Sequence, residues 1–340
     1  MPAPLGSLLA PVYEQIIASR NRRFDRGVDV RRFDRPVISI GNLSVGGTGK
    51  TPTVRKIVRW LIADGLLPAI AMRGYKAAPG KPGDEAVEYE RTLDPWPTGT
   101  RVPIVAQPNR VFGLERLLTT PTGRRVNRIV LDDGFQHRRI ARDLDIVLID
   151  ATRDPWSDRL LPAGWLREPV SSLVRAHAAV ITHAEAVEPG AVERLMERIT
   201  SVAPRAVVAA ARHEWTELRI HQPSGDRVEE PAWLRSRRPL AVCGIANPGP
   251  FIRTVEQCCG GTPAGRVVLP DHDEYGPSTV DRLLREIARS SADVVVTTEK
   301  DWAKLSEVAP DRWPVPVVCP RLDIVFERGE DQLRGAIAAL

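Results

Sequence analysis

The stretch Ser44-Val45-Gly46-Gly47-Thr48-Gly49-Lys50-Thr51-Pro52 decides the fold of this chain. It follows the apolar run Val37–Ile40 and precedes a segment in which apolar residues recur at helical spacing. An apolar strand, a glycine-rich turn and Gly-Lys-Thr at the start of a helix together indicate a phosphate-binding P-loop. Pro52 fits this arrangement, because a proline in the first turn of a helix gives up no hydrogen bond.

Each part of the P-loop has a role in binding a nucleotide. The glycines allow the backbone N–H groups of Ser44 to Thr51 to converge on phosphate oxygens, and the helix N-terminus adds its dipole. Lys50 supplies positive charge toward the outer phosphates, and Thr51 offers its hydroxyl to Mg²⁺. The usual pattern, G-x-x-x-x-G-K-[ST], has a glycine at the position of Ser44. An ordinary glycine-rich turn is the plainer alternative, and the Lys-Thr pair behind closely spaced small residues argues against it.

Composition and charge limit the class of protein. The chain has 340 residues, which is enough for two domains, and its 43% hydrophobic and 27% charged residues are ordinary for a globular protein. The net charge of +5 suits anionic substrates or an anionic membrane surface and is too small to indicate nucleic-acid binding. The 4 cysteines lack C-x-x-C spacing, so we expect free thiols in the cytoplasm. No apolar stretch approaches the ~20 residues of a membrane-spanning helix.

A second functional element follows the strand predicted over Asn127–Leu131. This strand runs directly into Asp132-Asp133-Gly134, as in a Walker B element. There the carboxylates emerge at the carboxyl end of a strand beside the P-loop and can hold Mg²⁺. A strand-end turn without a ligand is the plainer alternative, and the P-loop upstream favours the metal.

Strands and helices alternate along the whole chain, which predicts an α/β fold with a parallel sheet of the P-loop NTPase type. Pro204 and the polar turn Gln222–Asp226 indicate a domain boundary between 205 and 235. We therefore predict a helical and basic segment over 1–30, a P-loop domain over 31–205 and a smaller α/β lobe over 206–340.

The first 30 residues differ from the globular pattern. Apolar residues recur at three- and four-residue steps from Leu5 to Ile17, and arginines are concentrated from Arg20 to Arg32. Pro11 lies inside the apolar stripe, so the helix is expected to begin or bend there. An amphipathic helix beside arginines is typical of attachment to an anionic membrane surface. A helix packed on the core of its own protein, with its arginines in water, fits the pattern as well.

Several motifs, taken in their order along the chain, resemble those of the tetraacyldisaccharide 4′-kinase family of lipid A biosynthesis. Besides the P-loop they are Gly41-Asn42-Leu43, Arg73-Gly74-Tyr75, Gly83-Asp84-Glu85, Asp132-Asp133-Gly134-Phe135-Gln136-His137, Leu161-Pro162-Ala163-Gly164, Leu166-Arg167-Glu168-Pro169, Asp271-His272, and Thr298 with Lys300-Asp301. The resemblance implies a kinase that uses ATP and Mg²⁺. Its acceptor would be the 4′-hydroxyl of a lipid A disaccharide 1-phosphate precursor.

The resemblance also implies roles for particular residues. Asp84 matches the family's general base and His272 the residue that orients it. Asp132 and Asp133 match the carboxylates near Mg²⁺, and Glu168 matches a further acidic residue near that site. These roles agree with the chemistry, because a sugar hydroxyl is a poor nucleophile and gains from a positioned carboxylate. The charge that develops on the phosphoryl group needs cations such as the P-loop lysine and Mg²⁺.

The resemblance extends to the N-terminal helix. It implies a peripheral protein on the anionic cytoplasmic face of the inner membrane, with no nucleic acid and no obligate protein partner. Two other classes stay open. A membrane-associated partitioning or regulatory P-loop ATPase has a similar loop, but it carries lysine at the position of Val45. A P-loop kinase of a soluble substrate would have no use for an apolar stripe beside arginines.

Overall fold

The computed structural model describes residues 4–74, 83–93, 95–245, 247–271, 273–308 and 312–340. The strands are β1 (Val37–Asn42), β2 (Pro68–Met72), β3 (Ile104–Ala106), β4 (Arg128–Asp132), β5 (Leu144–Asp150), β6 (Ala178–Thr182), β7 (Val207–His221), β8 (Arg227–Glu229), β9 (Pro239–Cys243), β10 (Gly265–Val268), β11 (Val294–Thr297) and β12 (Val317–Arg328). The helices are α1 (Pro4–Asp25), α2 (Lys50–Ala63), α3 (Asp84–Thr92), α4 (Arg110–Thr119), α5 (Pro121–Arg125), α6 (Ala191–Val202), α7 (Pro248–Cys259), α8 (Pro277–Ser290), α9 (Glu299–Val308) and α10 (Glu330–Ala338). Short 3₁₀ segments occur at Val170–Arg175, Ala184–Ala186 and Pro231–Ser236. The mixed α/β fold with a large, mostly parallel sheet confirms the predicted class.

The chain forms two compact units. One contains Met1–His213 together with Ile324–Leu340, and the other contains Glu214–Asp323. These units differ from the predicted domains in two respects. The predicted boundary lies at 205/206, whereas the first unit continues to His213. The prediction also assigns the last residues of the chain to the second lobe, whereas Ile324–Leu340 belong to the first unit. The physical reason is that β7 and β12 each run from one unit into the other without interruption, so no turn marks the boundary.

In the first unit the strand order is β7-β6-β5-β1-β4-β2-β3. Every position of β1, β5 and β6 is buried, and these strands accordingly consist mostly of apolar residues. β1 pairs in parallel with both β4 and β5. The P-loop after β1 and the two aspartates at the end of β4 therefore emerge at the same edge of the sheet.

Helix α2 holds the P-loop against this sheet. Its predicted apolar stripe is fully buried in the main hydrophobic cluster of the unit, with no exposed surface at Val54, Ile57, Val58 or Leu61. Burying each of these side chains contributes roughly 1.5–3 kcal/mol. The start of α2, where the phosphate-binding groups lie, is therefore a rigid part of the unit.

In the second unit β9 lies between β10 and β11, β12 pairs with β11, and these pairs are parallel. β8, however, pairs antiparallel with the second half of β7. The prediction of a parallel sheet throughout is wrong at this point. The polar turn Gln222–Asp226, interpreted as a mark of the domain boundary, instead joins these two strands as a hairpin, and strands joined by so short a turn must be antiparallel.

Helix α1 is continuous through Pro11 and begins before it. Leu9, Val12 and Ile16 are 50%, 55% and 59% exposed, whereas Ile17 is 6% exposed. The helix thus presents an apolar line to the outside and packs on its own unit with another face. No described helix has the length and the apolar character needed to cross a membrane.

Candidate active site

Side chains of β6 and β7 lie against the P-loop and hold it in place. Helix α2 begins directly after Gly49, whose φ of 75° lies in the left-handed region. A Cβ atom at this position would stand 2.6 Å from Nε2 of His213, so both the backbone conformation and the available space require glycine. The carbonyl oxygen of Thr48 accepts a hydrogen bond of 3.1 Å from the hydroxyl of Thr182. These contacts keep the end of the loop in one conformation.

The predicted P-loop lysine and Walker B carboxylates come together at the edge of the sheet. Nζ of Lys50 lies 3.5 Å from Oδ1 of Asn42 and 4.0 Å from Oδ1 of Asp133. Asn42 is the last residue of β1, and Asp133 follows the last residue of β4. The parallel pairing of these two strands is what brings the groups within reach of each other.

Asp132 is buried, and Tyr89 approaches it from α3. The hydroxyl of Tyr89 donates a hydrogen bond of 3.0 Å to Oδ2 of Asp132. Oδ1 of Asp132 is buried and has no hydrogen-bond partner in the described part of the chain. Burial raises the pKa of Asp132, and the nearby charge of Lys50 opposes this rise. A buried carboxylate oxygen without a donor is the environment in which a bound cation is stabilising.

Asp133 lies among positive charges. Both of its carboxylate oxygens are 2.8 Å from one guanidinium nitrogen of Arg167, and Arg110 donates to its backbone carbonyl oxygen at 3.1 Å. Burial would raise the pKa of Asp133, but Lys50 and Arg167 together outweigh it, so the pKa is lowered. This carboxylate is therefore ionised at neutral pH.

The oxygen atoms of Thr51, Asp132 and Asp133 fit a bound Mg²⁺, which prefers oxygen ligands. Within the described ranges, no group of three or more histidine, cysteine or acidic side chains could hold a metal by itself. A nucleotide-linked Mg²⁺ does not need such a group, because one or two protein carboxylates suffice when phosphates and water supply the other ligands.

Glu168, the further acidic residue implied by the resemblance, has its contacts elsewhere. Its side chain is fully buried, and its Oε2 accepts from Asn21 at 2.8 Å and from Arg175 at 3.0 Å. Its Oε1 lies 3.5 Å from a guanidinium nitrogen of Arg20. Two of these three partners belong to α1. A place for Glu168 near Mg²⁺ stays a prediction.

The two residues implied as base and orienting partner are not both within the described structure. Asp84 is the first residue of α3, but its side chain lies outside what is described, as does the whole of His272. Their roles stay predictions. Tyr89 of the same helix reaches Asp132, so the helix that begins at Asp84 is anchored to the candidate metal site.

The chain matches the model of one protein family, described as tetraacyldisaccharide-1-P 4′-kinase (LpxK), over residues 3–338. It belongs to this family. A relative from Anaeromyxobacter dehalogenans (strain 2CP-C), named tetraacyldisaccharide 4′-kinase, is 36% identical over 367 residues, covering 99% of this chain and 92% of the relative. One of the same name from Chlorobium chlorochromatii (strain CaD3) is 34% identical over 317 residues, covering 87% of this chain and 81% of the relative. The crystal structure of LpxK from Aquifex aeolicus in complex with ATP superimposes with a TM-score of 0.71 at 29% identity, covering 98% of both chains.

Membership of the 4′-kinase family makes the chain a kinase that uses ATP and Mg²⁺, as the P-loop and its carboxylates predict. It does not favour the partitioning ATPase, the alternative that the loop sequence alone left open. Val45 also argues against that class, because those ATPases carry lysine at this position.

Three residues of this 4′-kinase site were missed as site residues in the sequence. Arg167 stands inside a quoted family motif, so its place in the motif was a usable signal. Tyr89 and Arg110 lie within or at the start of helices and look like ordinary helix residues in the sequence. Both are buried, and only the tertiary structure shows that they face Asp132 and Asp133.

Proposed function

We propose that this chain transfers the γ-phosphoryl group of ATP to the 4′-hydroxyl of a lipid A disaccharide 1-phosphate precursor, giving a lipid IVA-type product. The observation that carries the proposal is the meeting of Lys50 with the ionised carboxylate of Asp133 in a chain of this family. That arrangement supports the proposal, because phosphoryl transfer requires a cation at the end of the phosphate-binding loop and, beside it, an anion that can bind Mg²⁺.

The P-loop residues Ser44 to Thr51 bind the phosphates through backbone N–H groups, and Lys50 stabilises the charge that grows on the transferred group. Thr51, Asp132 and Asp133 would hold Mg²⁺, which when bound neutralises charge on the β- and γ-phosphates. Arg167 and Arg110 keep Asp133 ionised and in place. These residues prepare the donor side of the reaction.

On the acceptor side we propose that Asp84 takes the proton of the sugar hydroxyl and that His272 acts with it as the orienting residue. A carboxylate held in position lowers the barrier for a weak nucleophile by accepting its proton as the new bond forms. The support for this part is the family motif in which each residue stands, Gly83-Asp84-Glu85 and Asp271-His272.

We further propose that the chain is a peripheral protein of the cytoplasmic face of the inner membrane. The support is the exposed apolar line of α1 at Leu9, Val12 and Ile16, with exposed Arg22 and Arg26 nearby. Such a surface binds anionic membranes by burying apolar side chains and by attraction to headgroups. A substrate with acyl chains in the bilayer would then be reached at the surface.

The test is phosphate transfer to a tetraacyl disaccharide 1-phosphate presented in detergent micelles with ATP and Mg²⁺. We expect a phosphorylated lipid to form as ATP is consumed, and no transfer to an analogue whose 4′-hydroxyl is replaced by hydrogen. Lys50→Ala serves as the inactive control. ATP hydrolysis at the same rate with and without lipid, and no phosphorylated lipid, would mean that the chain is an ATPase instead.

A further inference from the structure

A short segment, Trp165–Glu168, is bonded to the backbone on both sides of the P-loop start. We call this segment the strap. The backbone N–H of Val45 donates to the carbonyl oxygen of Trp165 at 2.8 Å, and the N–H of Arg167 donates to the carbonyl oxygen of Leu43 at 2.7 Å. Because the two bonds span the junction of β1 and the loop, the position of the strap and that of the loop start depend on each other.

The strap also bears directly on the candidate metal site. The side chain of Arg167 is the group that contacts both oxygens of Asp133. Arg175, the other cation on Glu168, lies with its guanidinium carbon 4.3 Å from the ring centre of Phe135, in the segment that follows Asp133. A shift of the strap would therefore move the charge that keeps Asp133 ionised.

On its other side the strap is bonded to α1. The hydroxyl of Tyr13 donates to the carbonyl oxygen of Arg167 at 3.0 Å, and the amide of Asn21 donates to Glu168 at 2.8 Å. Arg20 adds its charge at 3.5 Å from the same carboxylate. Tyr13, Arg20 and Asn21 are spaced so that one face of the helix carries all three. The exposed apolar line of α1 lies on different residues.

Because Glu168 is buried, loss of its contacts with α1 would destabilise the folded chain. The Glu168 side chain has no exposed surface, so its charge is stabilised by protein donors alone. Removing one partner of a buried ion pair is costly, because the remaining charge stays out of water. Oε2 is engaged by Asn21 and Arg175, and Oε1 faces Arg20. Within the described residues, Oε1 is buried without a hydrogen bond and has the charge of Arg20 beside it, so the link from Glu168 to α1 consists of the hydrogen bond from Asn21 and the ion pair with Arg20.

We infer that Glu168 is a positioning residue that fixes α1 to the strap, so that docking of α1 holds Arg167 on Asp133. This assigns Glu168 a different role from that of an acidic group at the metal. The helix that carries the exposed apolar line is then coupled to the nucleotide site through a buried carboxylate. The inference rests on the proposed function only in that phosphoryl transfer is one of its readouts.

We compare Glu168→Gln with Asn21→Ala, because the two changes alter the same hydrogen bond from its two ends. Each variant should lower kcat about tenfold, the size expected for one charge-assisted hydrogen bond. The apparent affinity for Mg²⁺ and the KM for ATP should change by the same factor in both variants, because both variants act on Asp133 through Arg167. Amide hydrogen exchange in α1 should be faster in both variants. The double variant should be no worse than the more impaired single one, because the two changes break the same contact.

Gln15→Ala is the matched control, since Gln15 is an exposed amide on the same helix. It should leave kcat and the exchange of α1 unchanged. Tyr13→Phe is a second variant, which removes the hydrogen bond to the carbonyl oxygen of Arg167 and keeps the ring. It allows the inference to be tested even if Glu168→Gln fails to fold. It should raise the exchange rate of α1 and lower kcat by a smaller factor.

Two results would overturn the inference. One is a rise of about tenfold in the Mg²⁺ requirement of Glu168→Gln with no change in Asn21→Ala, which would place Glu168 at the metal. The other is normal kcat and normal α1 exchange in both Asn21→Ala and Tyr13→Phe. If the wild-type chain transfers no phosphate to lipid, the proposed function fails, and hydrogen exchange together with nucleotide-binding measurements still decides the role of Glu168.

Discussion

At the scale of single residues, two neighbouring carboxylates have opposite environments. Burial raises the pKa of Asp132, whereas Lys50 and Arg167 outweigh burial and lower the pKa of Asp133. Asp133 therefore carries a fixed negative charge. Asp132 gains most from a bound cation, because its ionised form is otherwise poorly stabilised. The hydrogen bond from Tyr89 is one of the groups that keep Asp132 ionisable.

Tyr89→Phe should raise the pKa of Asp132 further, because it removes a hydrogen bond that lowers that pKa. Mg²⁺ binds the ionised carboxylate, so the Mg²⁺ concentration needed for half-maximal activity should rise several-fold, by about 1 kcal/mol of binding free energy. The difference from the wild type should widen as the pH is lowered. The same Mg²⁺ requirement at every pH would show that Tyr89 does not act on Asp132.

Lys50→Ala should lower kcat by orders of magnitude, because Lys50 stabilises charge that appears only toward the transition state. Lys56→Ala is the matched control. Lys56 lies on the same helix, but its ammonium stands 5.9 Å from the centre of the Trp60 ring, outside the candidate site. A wild-type kcat in Lys50→Ala would remove the P-loop from the mechanism.

Two histidines of the first unit should make folding stability depend on pH. Burial, reinforced by Arg110, lowers the pKa of His137 to about 4, and burial together with His183 lowers the pKa of His213 to about 3. The unfolded chain binds these protons from pH 6.5 downward, so stability is complete above pH 6.5 and is lost as the pH falls. Each histidine contributes a slope of at most about 1.4 kcal/mol per pH unit.

Urea unfolding followed between pH 6.5 and pH 4 measures this slope. His213→Phe keeps a ring that can stack on His183, whose ring centre lies 4.1 Å away, but it cannot take up a proton. Its stability should fall less steeply with acid than that of the wild type. Parallel curves for the variant and the wild type would mean that His213 is already protonated in the folded chain.

At the scale of elements, α1 has two faces with separate roles. Leu9, Val12 and Ile16 are exposed, whereas Tyr13 and Asn21 bond to the strap. Deleting the first 23 residues would remove both faces at once, and it would uncover the buried carboxylate of Glu168. Substitution of the exposed face alone is therefore the sharper experiment.

Changing Leu9, Val12 and Ile16 together to glutamine should weaken binding to anionic vesicles and raise the apparent KM for the lipid substrate. Each apolar side chain contributes roughly 1.5–3 kcal/mol when buried, and each nearby arginine about 1 kcal/mol, which salt weakens. The KM for ATP and the thermal midpoint should stay close to those of the wild type. Vesicle flotation at low and high salt measures the first effect.

The outcome separates the two interpretations of the apolar stripe. A variant that unfolds, with a wild-type chain that ignores vesicles, would mean that the stripe serves the protein core. A folded variant that no longer floats with vesicles would assign the stripe to the membrane. Arg124→Gln is a suitable control, since Arg124 is an exposed cation on α5, outside α1.

At the scale of the whole molecule, the proposed base Asp84 and its proposed partner His272 stand far apart in the sequence. If they act together, Asp84→Ala, His272→Ala and the double variant should show similar losses of kcat, because residues that act as a unit are not additive. Steady-state kinetics of the three variants measure this. Losses that multiply in the double variant would mean two independent roles.

Many elements could be predicted from local pattern. β1 and α2 are predicted by the apolar run Val37–Ile40 and by the helical spacing of apolar residues after the P-loop, because both patterns follow from the face that each element buries. β7 (Val207–His221), in contrast, lies inside the region 205–235 where the sequence predicts a domain boundary. Its second half is interrupted by polar residues, and its pairing with β8 is a long-range property that no local apolar pattern records.

The sequence by itself determined the fold class, the P-loop, the two aspartates after β4 and the family, because these depend on residue types at fixed local spacing. Only the tertiary structure decided which groups surround the aspartates. Tyr89, Arg110 and Arg167 come from separate segments, and their positions follow from how helices and loops pack on the sheet edge. It also showed that Glu168 faces α1. A buried carboxylate must be paired with donors, and the folded chain decides which donors lie next to it.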